Sequence, residues 1–214
     1  MWWPLILIVL LLIHPGIGTA QQSAEVLTVK ALEECDFGRR SKEREVRLAH
    51  FKRSQSLAEQ ALALNDRLAG GHFALFCSLG EQLRIDGETS LSSVFGFRRM
   101  MKALNRTLEL DPEHLDALSS KGTFLVRLPT ILGGDKQTGE RILRRVIRRE
   151  PKAVNARLTL AKTYAARGDR KTAILLVTEA LQIARSEQRE DLIPEAQAAL
   201  TELRPAGDSF PLND

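Results

Sequence analysis

Leu160-Ala161-Lys162-Thr163-Tyr164-Ala165-Ala166-Arg167-Gly168-Asp169, followed by Ala173, Val177 and Ala180, decides the fold. Small and apolar residues recur at helical spacing, stop at Gly168-Asp169, and resume at helical spacing beyond it. The same landmarks stand upstream in the same order: Lys121-Gly122, Leu125, Gly134-Asp135, Gly139, Leu143 and Val146, with Pro151 closing the unit. A helix–turn–helix unit of this kind cannot bury its apolar face alone and stacks on its neighbours. The two best units are 115–151 and 154–184.

Working outward, the earlier chain repeats the spacing with less regularity. Apolar residues at helical intervals predict helices over 23–37, 42–64, 69–83 and from about 91 to 110. Asn65-Asp66, Asp111-Pro112 and Glu150-Pro151 stand at corresponding stops. Residues 83–96 exceed the repeat spacing, which predicts an extended helix pair or a protruding loop, with Thr89 or Ser90 capping the next helix. Pro129 disturbs the turn that it enters, Gly133-Gly134 permit a positive φ, and Asp135 is placed to cap the following helix. Pro194 suits the first turn of a last helix, 195–203, which would cover the open apolar end of the stack. Pro205 to Asp214 reads as a disordered tail. Aromatic residues make up 5% of the 214 residues, and Ala, Leu, Arg and Glu dominate, as an all-α chain requires.

The N-terminus is of another kind. Trp2 to Ile13 is almost wholly apolar, His14-Pro15-Gly16 end the run, and Gly18-Thr19-Ala20 offer small residues for a cleavage site. Residues 1–20 therefore read as a signal peptide cut near Ala20, with a helical domain over 21–204 in the periplasm or secreted. The apolar run is short for a bilayer span of roughly 20 residues. No Lys or Arg precedes it, which leaves retention as an uncleaved anchor as the alternative. In an exported chain Cys35 and Cys77 could form a disulfide; they could equally be two small buried residues on separate helices.

Taken together, the all-α helical-hairpin pattern with a C-terminal capping helix resembles tetratricopeptide repeats, best over Leu115 to Ala184. Pro112 and Pro151 lie 39 residues apart, against about 34 in a plain tetratricopeptide unit, and the excess falls in Leu128 to Asp135. That turn, the long helices and the final Pro-Glu-Ala helix are also similar to the T component associated with TRAP transporters, and more distantly to the tetratricopeptide domain of regulators of microtubule dynamics. The former resemblance implies an exported protein that partners a periplasmic solute-binding or envelope protein and can form homo-oligomers.

In a stack of this type the first helix of each unit lines a concave groove. The register points Ser119, Thr123, Val126 and Arg127 into it from one unit, Asn155, Leu158, Thr159 and Lys162 from the next, and Phe73 with Cys77 from an earlier one. That mixture suits an extended peptide. Arg141, Arg144, Arg145, Arg148 and Arg149 share the outer face of one helix. They form either an anion-binding surface or a solvated convex face offset by Glu140 and Glu150, and the second reading is preferred. Arg98, Arg99, Lys102 and Arg106 make a weaker stripe. The formal net charge of +4 gives no ground for nucleic acid as a partner. His50, His72 and His114 stand apart without metal-type spacing, and no nucleophile or phosphate-loop motif occurs. The sequence thus predicts a non-enzymatic binding protein without cofactor. A membrane-surface protein, using the N-terminal segment and the basic helix face, is the alternative.

Overall fold

The computed structural model describes residues 16–86 and 91–203. The apolar segment 2–13, the cap expected at Thr89 or Ser90, and the tail 205–214 lie outside them. Among the described residues the chain forms nine α-helices: α1 (Gly16–Arg40), α2 (Arg44–Leu64), α3 (Ala69–Asp86), α4 (Leu91–Leu110), α5 (Leu115–Arg127), α6 (Lys136–Arg149), α7 (Val154–Ala166), α8 (Arg170–Ser186) and α9 (Ile193–Leu203). None of them is long and apolar enough to cross a membrane. Consecutive helices pack as hairpins, α1 with α2 through α7 with α8, and α9 lies across the last pair as the expected cap. Much of the excess length at 83–96 goes into α3, which runs to Asp86, and α4, which starts at Leu91. Helix α1 begins at Gly16 and so runs through the expected cleavage site; Ala24, beyond Ala20, is the first buried side chain among the described ones.

The repeated landmarks are packing positions. Leu143 and Val146 of α6 are almost wholly buried with Leu118, Val126, Ala156 and Leu160. Burial of a leucine this completely is worth about 1.5–3 kcal/mol. Gly122 and Gly139 let α5 and α6 approach closely: a Cβ on Gly139 would lie 2.7 Å from Val126 Cγ1 and 2.8 Å from the Gly122 carbonyl oxygen. In the following pair Ala173, Val177, Ala180 and Ala184 play the same part against α7 and α9.

The hairpin turns follow from their polar residues. Asp135 accepts from the Thr138 N–H at 2.9 Å and Asp169 from the Thr172 N–H at 3.2 Å, which caps α6 and α8. Thr130–Leu132 forms a single 3-10 turn after Pro129. Only Gly133 of the glycine pair takes a positive φ, +88°. Gly134 is needed for another reason, since a Cβ there would overlap the Leu128 carbonyl. The Asp135 N–H then reaches back to the Leu125 carbonyl at 2.9 Å and closes the turn.

Cys35 and Cys77 are joined in a disulfide that ties α1 to α3, with their Cα atoms 6.5 Å apart. Phe51 packs beside it, fully buried. The join between the first two hairpins and the last two is lighter; Ala117 of α5 enters the first core cluster, Leu108 of α4 packs on the cluster of α5 to α7, and rings add to it. The Phe73 ring meets His114 in a tilted contact at 4.6 Å between centroids, and the Phe124 ring meets Phe76 at 6.3 Å and Phe97 at 6.0 Å.

Candidate functional site

The first helices of the stack are more deeply enclosed than their register implies. Residues His72 to Leu79 of α3 are buried without a break, and so are Ala156 to Ala161 of α7. Helix α3 has α1, α2 and α4 around it, and α7 has α5, α6, α8 and α9, so little of either helix faces open space. This takes five residues out of the expected groove. Phe73 is 7% exposed and Leu158 2% exposed, and both belong to the core. Val126 and Thr159 are buried as well, Cys77 is in the disulfide, and the Thr159 hydroxyl lies 3.3 Å from that of Thr123. Ser119 and Thr123 are half-buried, whereas Arg127, Asn155 and Lys162 are exposed. Lys162 Nζ donates to Glu195 of α9 at 2.7 Å.

A cleft of about 580 Å³ opens where the two ends of the stack face each other. One wall is the C-terminal ends of α1 and α3 with the start of α2; the other is the start of α7 and the turn from α8 into α9. Asn155 projects from the second wall, and Leu192 and Pro194 give it an apolar part. Arg189 holds Asp191 by two hydrogen bonds of 2.8 and 2.7 Å. Burial alone would raise the Asp191 carboxyl, but the Arg189 guanidinium keeps it below the ordinary aspartate value. Arg40 pairs with Asp36 at 2.7 Å, and Lys42 lies 4.0 Å from Glu190. On the first wall Glu81, 13% exposed, receives Arg39 at 3.0 Å and Arg84 at 2.6 Å, with Arg47 3.8 Å away. The Nε of Arg47 is buried and has no hydrogen-bond partner.

The arginines of α6 are for the most part engaged by the protein itself. Arg145 and Arg149 both bind Glu113, the former at 2.5 Å. Arg144 donates to Glu140 at 2.7 Å and to the Tyr164 hydroxyl at 2.6 Å, while Arg167 lies over the Tyr164 ring at 3.9 Å and pairs with Glu140 at 3.1 Å. Arg141 donates to the Thr138 hydroxyl at 2.7 Å. Arg148 is exposed and makes no ion pair among the described residues. This face is a lateral seam that joins α6 to the α4–α5 turn and to α7. A shallower cleft of about 400 Å³ runs along α4 beside Phe97, Arg98, Met101 and Lys102. Arg99 of the same stripe turns away to Glu59, at 2.5 Å.

The histidines have local tasks. His50 Nδ1 lies 2.6 Å from Glu34, and His72 Nε2 lies 2.9 Å from the Asp66 carbonyl oxygen. His114 caps α5 by accepting from the Ala117 N–H at 3.4 Å. Among the described residues no three metal-ligating side chains converge.

This arrangement of stacked hairpins has counterparts among solved structures. The chain is similar to the crystal structure of TTC0263, a thermophilic TPR protein of Thermus thermophilus, at a TM-score of 0.52 and 16% identity over 83% of this chain and 99% of that one. The fold is tetratricopeptide-like. Residues 41 to the end of MamA from Desulfovibrio magneticus RS-1 superpose at a TM-score of 0.49 with 13% identity, over 87% of this chain and 94% of that chain. YrrB, described as a TPR protein with an unusual peptide-binding site, gives 0.44 and 13%, over 90% and 95%. No protein-family model matches the chain, and no curated protein sequence does.

Proposed function

We propose that this protein is an exported, non-enzymatic scaffold that holds an extended segment of a partner protein in the cleft between the two ends of its stack. The observation that carries the reading is the cleft itself. Its 580 Å³ fall in the size range of built binding sites. It combines a projecting side-chain amide, Asn155, which can pair with a peptide backbone, with charged groups and a small apolar wall. Export is supported by the apolar segment Trp2 to Ile13 and by the Cys35–Cys77 disulfide, a bond that persists in oxidising compartments. An envelope or solute-binding protein is the kind of partner such a scaffold would meet there. The membrane-surface reading is weaker, because Arg144, Arg145 and Arg149 of its basic face are already paired.

The test is selection of ten-residue peptides from an unbiased display library against the full chain. Peptides selected on the wild type should lose at least about tenfold in affinity when Asn155→Trp fills the cleft. They should keep it in Leu175→Asp, a change at an exposed position of α8. Failure to select any peptide, or equal loss in both variants, would contradict the cleft as the binding site.

A further inference from the structure

The charge in the cleft is unevenly matched, and the mismatch names the chemistry of the segment that would fill it. On the second wall Arg189 is balanced by Asp191, and at the rim Arg40 is balanced by Asp36 and Lys42 by Glu190. The first wall differs. Arg39 from α1, Arg47 from α2 and Arg84 from α3 converge on the single carboxylate of Glu81. Among the described residues these three guanidinium groups share the one carboxylate of Glu81. Glu81 satisfies Arg39 at 3.0 Å and Arg84 at 2.6 Å but leaves Arg47 at 3.8 Å, too far for a hydrogen bond. The Arg47 Nε is the one guanidinium donor among the described residues that is both buried and unpartnered. A guanidinium presents its donors in a planar fork that matches the two oxygens of a carboxylate.

Arg39 and Arg84 are open to solvent, with side chains 33% and 64% exposed, while Arg47 is 23% exposed and keeps a buried Nε without a hydrogen-bond partner, which is costly. An incoming carboxylate removes that cost. Resting on the cleft reading above, we infer that the bound segment is acidic, with one of its carboxylates docking on Arg39, Arg47 and Arg84 beside Glu81. The remaining lining fits a polypeptide better than a lipid or a sugar acid: Asn155 offers an amide to a backbone, and Leu192 and Pro194 offer a short apolar contact a few residues along. Glu81 then serves as a placeholder that competes with the ligand for the same donors.

The competition gives the inference a signature that a structural role would not produce. The experiment measures fluorescence anisotropy of the full chain with two labelled ten-residue peptides, identical except that four glutamates in one are glutamines in the other. The glutamate peptide should bind about tenfold or more tightly than its counterpart, and its affinity should fall as sodium chloride is raised. Arg84→Ala changes a side chain that is 64% exposed and should leave the fold intact. It should weaken the glutamate peptide about fivefold or more and leave the glutamine peptide unchanged. Glu81→Gln should tighten the glutamate peptide, and a thermal melt shows whether that variant remains folded. Arg141→Ala on α6 should alter neither Kd by more than about twofold. Equal affinities for the two peptides would overturn the inference, as would Arg84→Ala leaving the glutamate peptide within about twofold. If Asn155→Trp still abolishes binding in that case, the cleft stands and only its preference for acid falls; if it does not, the cleft itself falls.

Discussion

His114 shows how much a single position can withhold from a reading of the chain. In the sequence it is an isolated histidine. In the fold it caps α5 and packs its ring against Phe73 across the join between two hairpins. Nothing in its spacing announces the second role, because Phe73 lies far away in the chain and the contact depends on how the hairpins settle. The aspartates were easier, since an Asp directly before a helical run has one common use. Asp135 and Asp169 fill that use, and hydrogen bonds from Thr138 and Thr172 hold both carboxyls below their ordinary value. A carboxyl lowered on folding stabilises the fold above its unfolded value, near pH 4, and loses that contribution as pH falls through the lower folded value. Stability should therefore be flat in these two groups from neutrality down to about pH 4 and fall below it. Urea melts of Asp135→Asn and Asp169→Asn at a series of pH values should show a shallower fall below pH 4, because an asparagine caps without titrating.

At the scale of elements the pairing of α5 with α6, and of α7 with α8, was legible because small residues recur where two helices must touch. Gly139 is the sharpest case. Its missing side chain lets α6 approach Val126 and the Gly122 backbone. Gly139→Val should cost about 1–3 kcal/mol by overpacking, a drop of several degrees in Tm for a domain of this size. A calorimetric scan checks it, and an unchanged Tm would mean that the two helices can separate without loss. The turn from Leu128 to Asp135 was half legible: the positive φ belongs to Gly133 alone, and Gly134 serves close approach. The same turn displays Ile131, 92% exposed, and Leu132, 64% exposed. The arginine stripe of α6 is legible as a shared helix face, but its partners are not. Glu113 sits in the α4–α5 turn, and only the stacking brings it to Arg145 and Arg149.

At the scale of the molecule, the stack of hairpins and its C-terminal cap followed from periodicity and turn residues alone. The place of the open surface did not. Register assigns the first helices to a groove, yet α3 and α7 are enclosed by their neighbours, and Phe73 and Leu158 became core. The cleft instead arises where distant segments, 39–47, 81–84 and 189–195, are brought together by the curvature of the whole stack. Curvature is a sum of small rotations between units, and no local pattern encodes it. The position of a bound ligand therefore decides between the cleft and any other surface. Titration of the isotope-labelled full chain with a library-selected peptide, followed by amide chemical shifts, reads this directly. Binding in the cleft should place the largest shifts on Arg39 to Arg47, Glu81 to Arg84, Asn155 and Arg189 to Glu195. Shifts centred on the α6 arginines, or on Ile131 and Leu132, would contradict it.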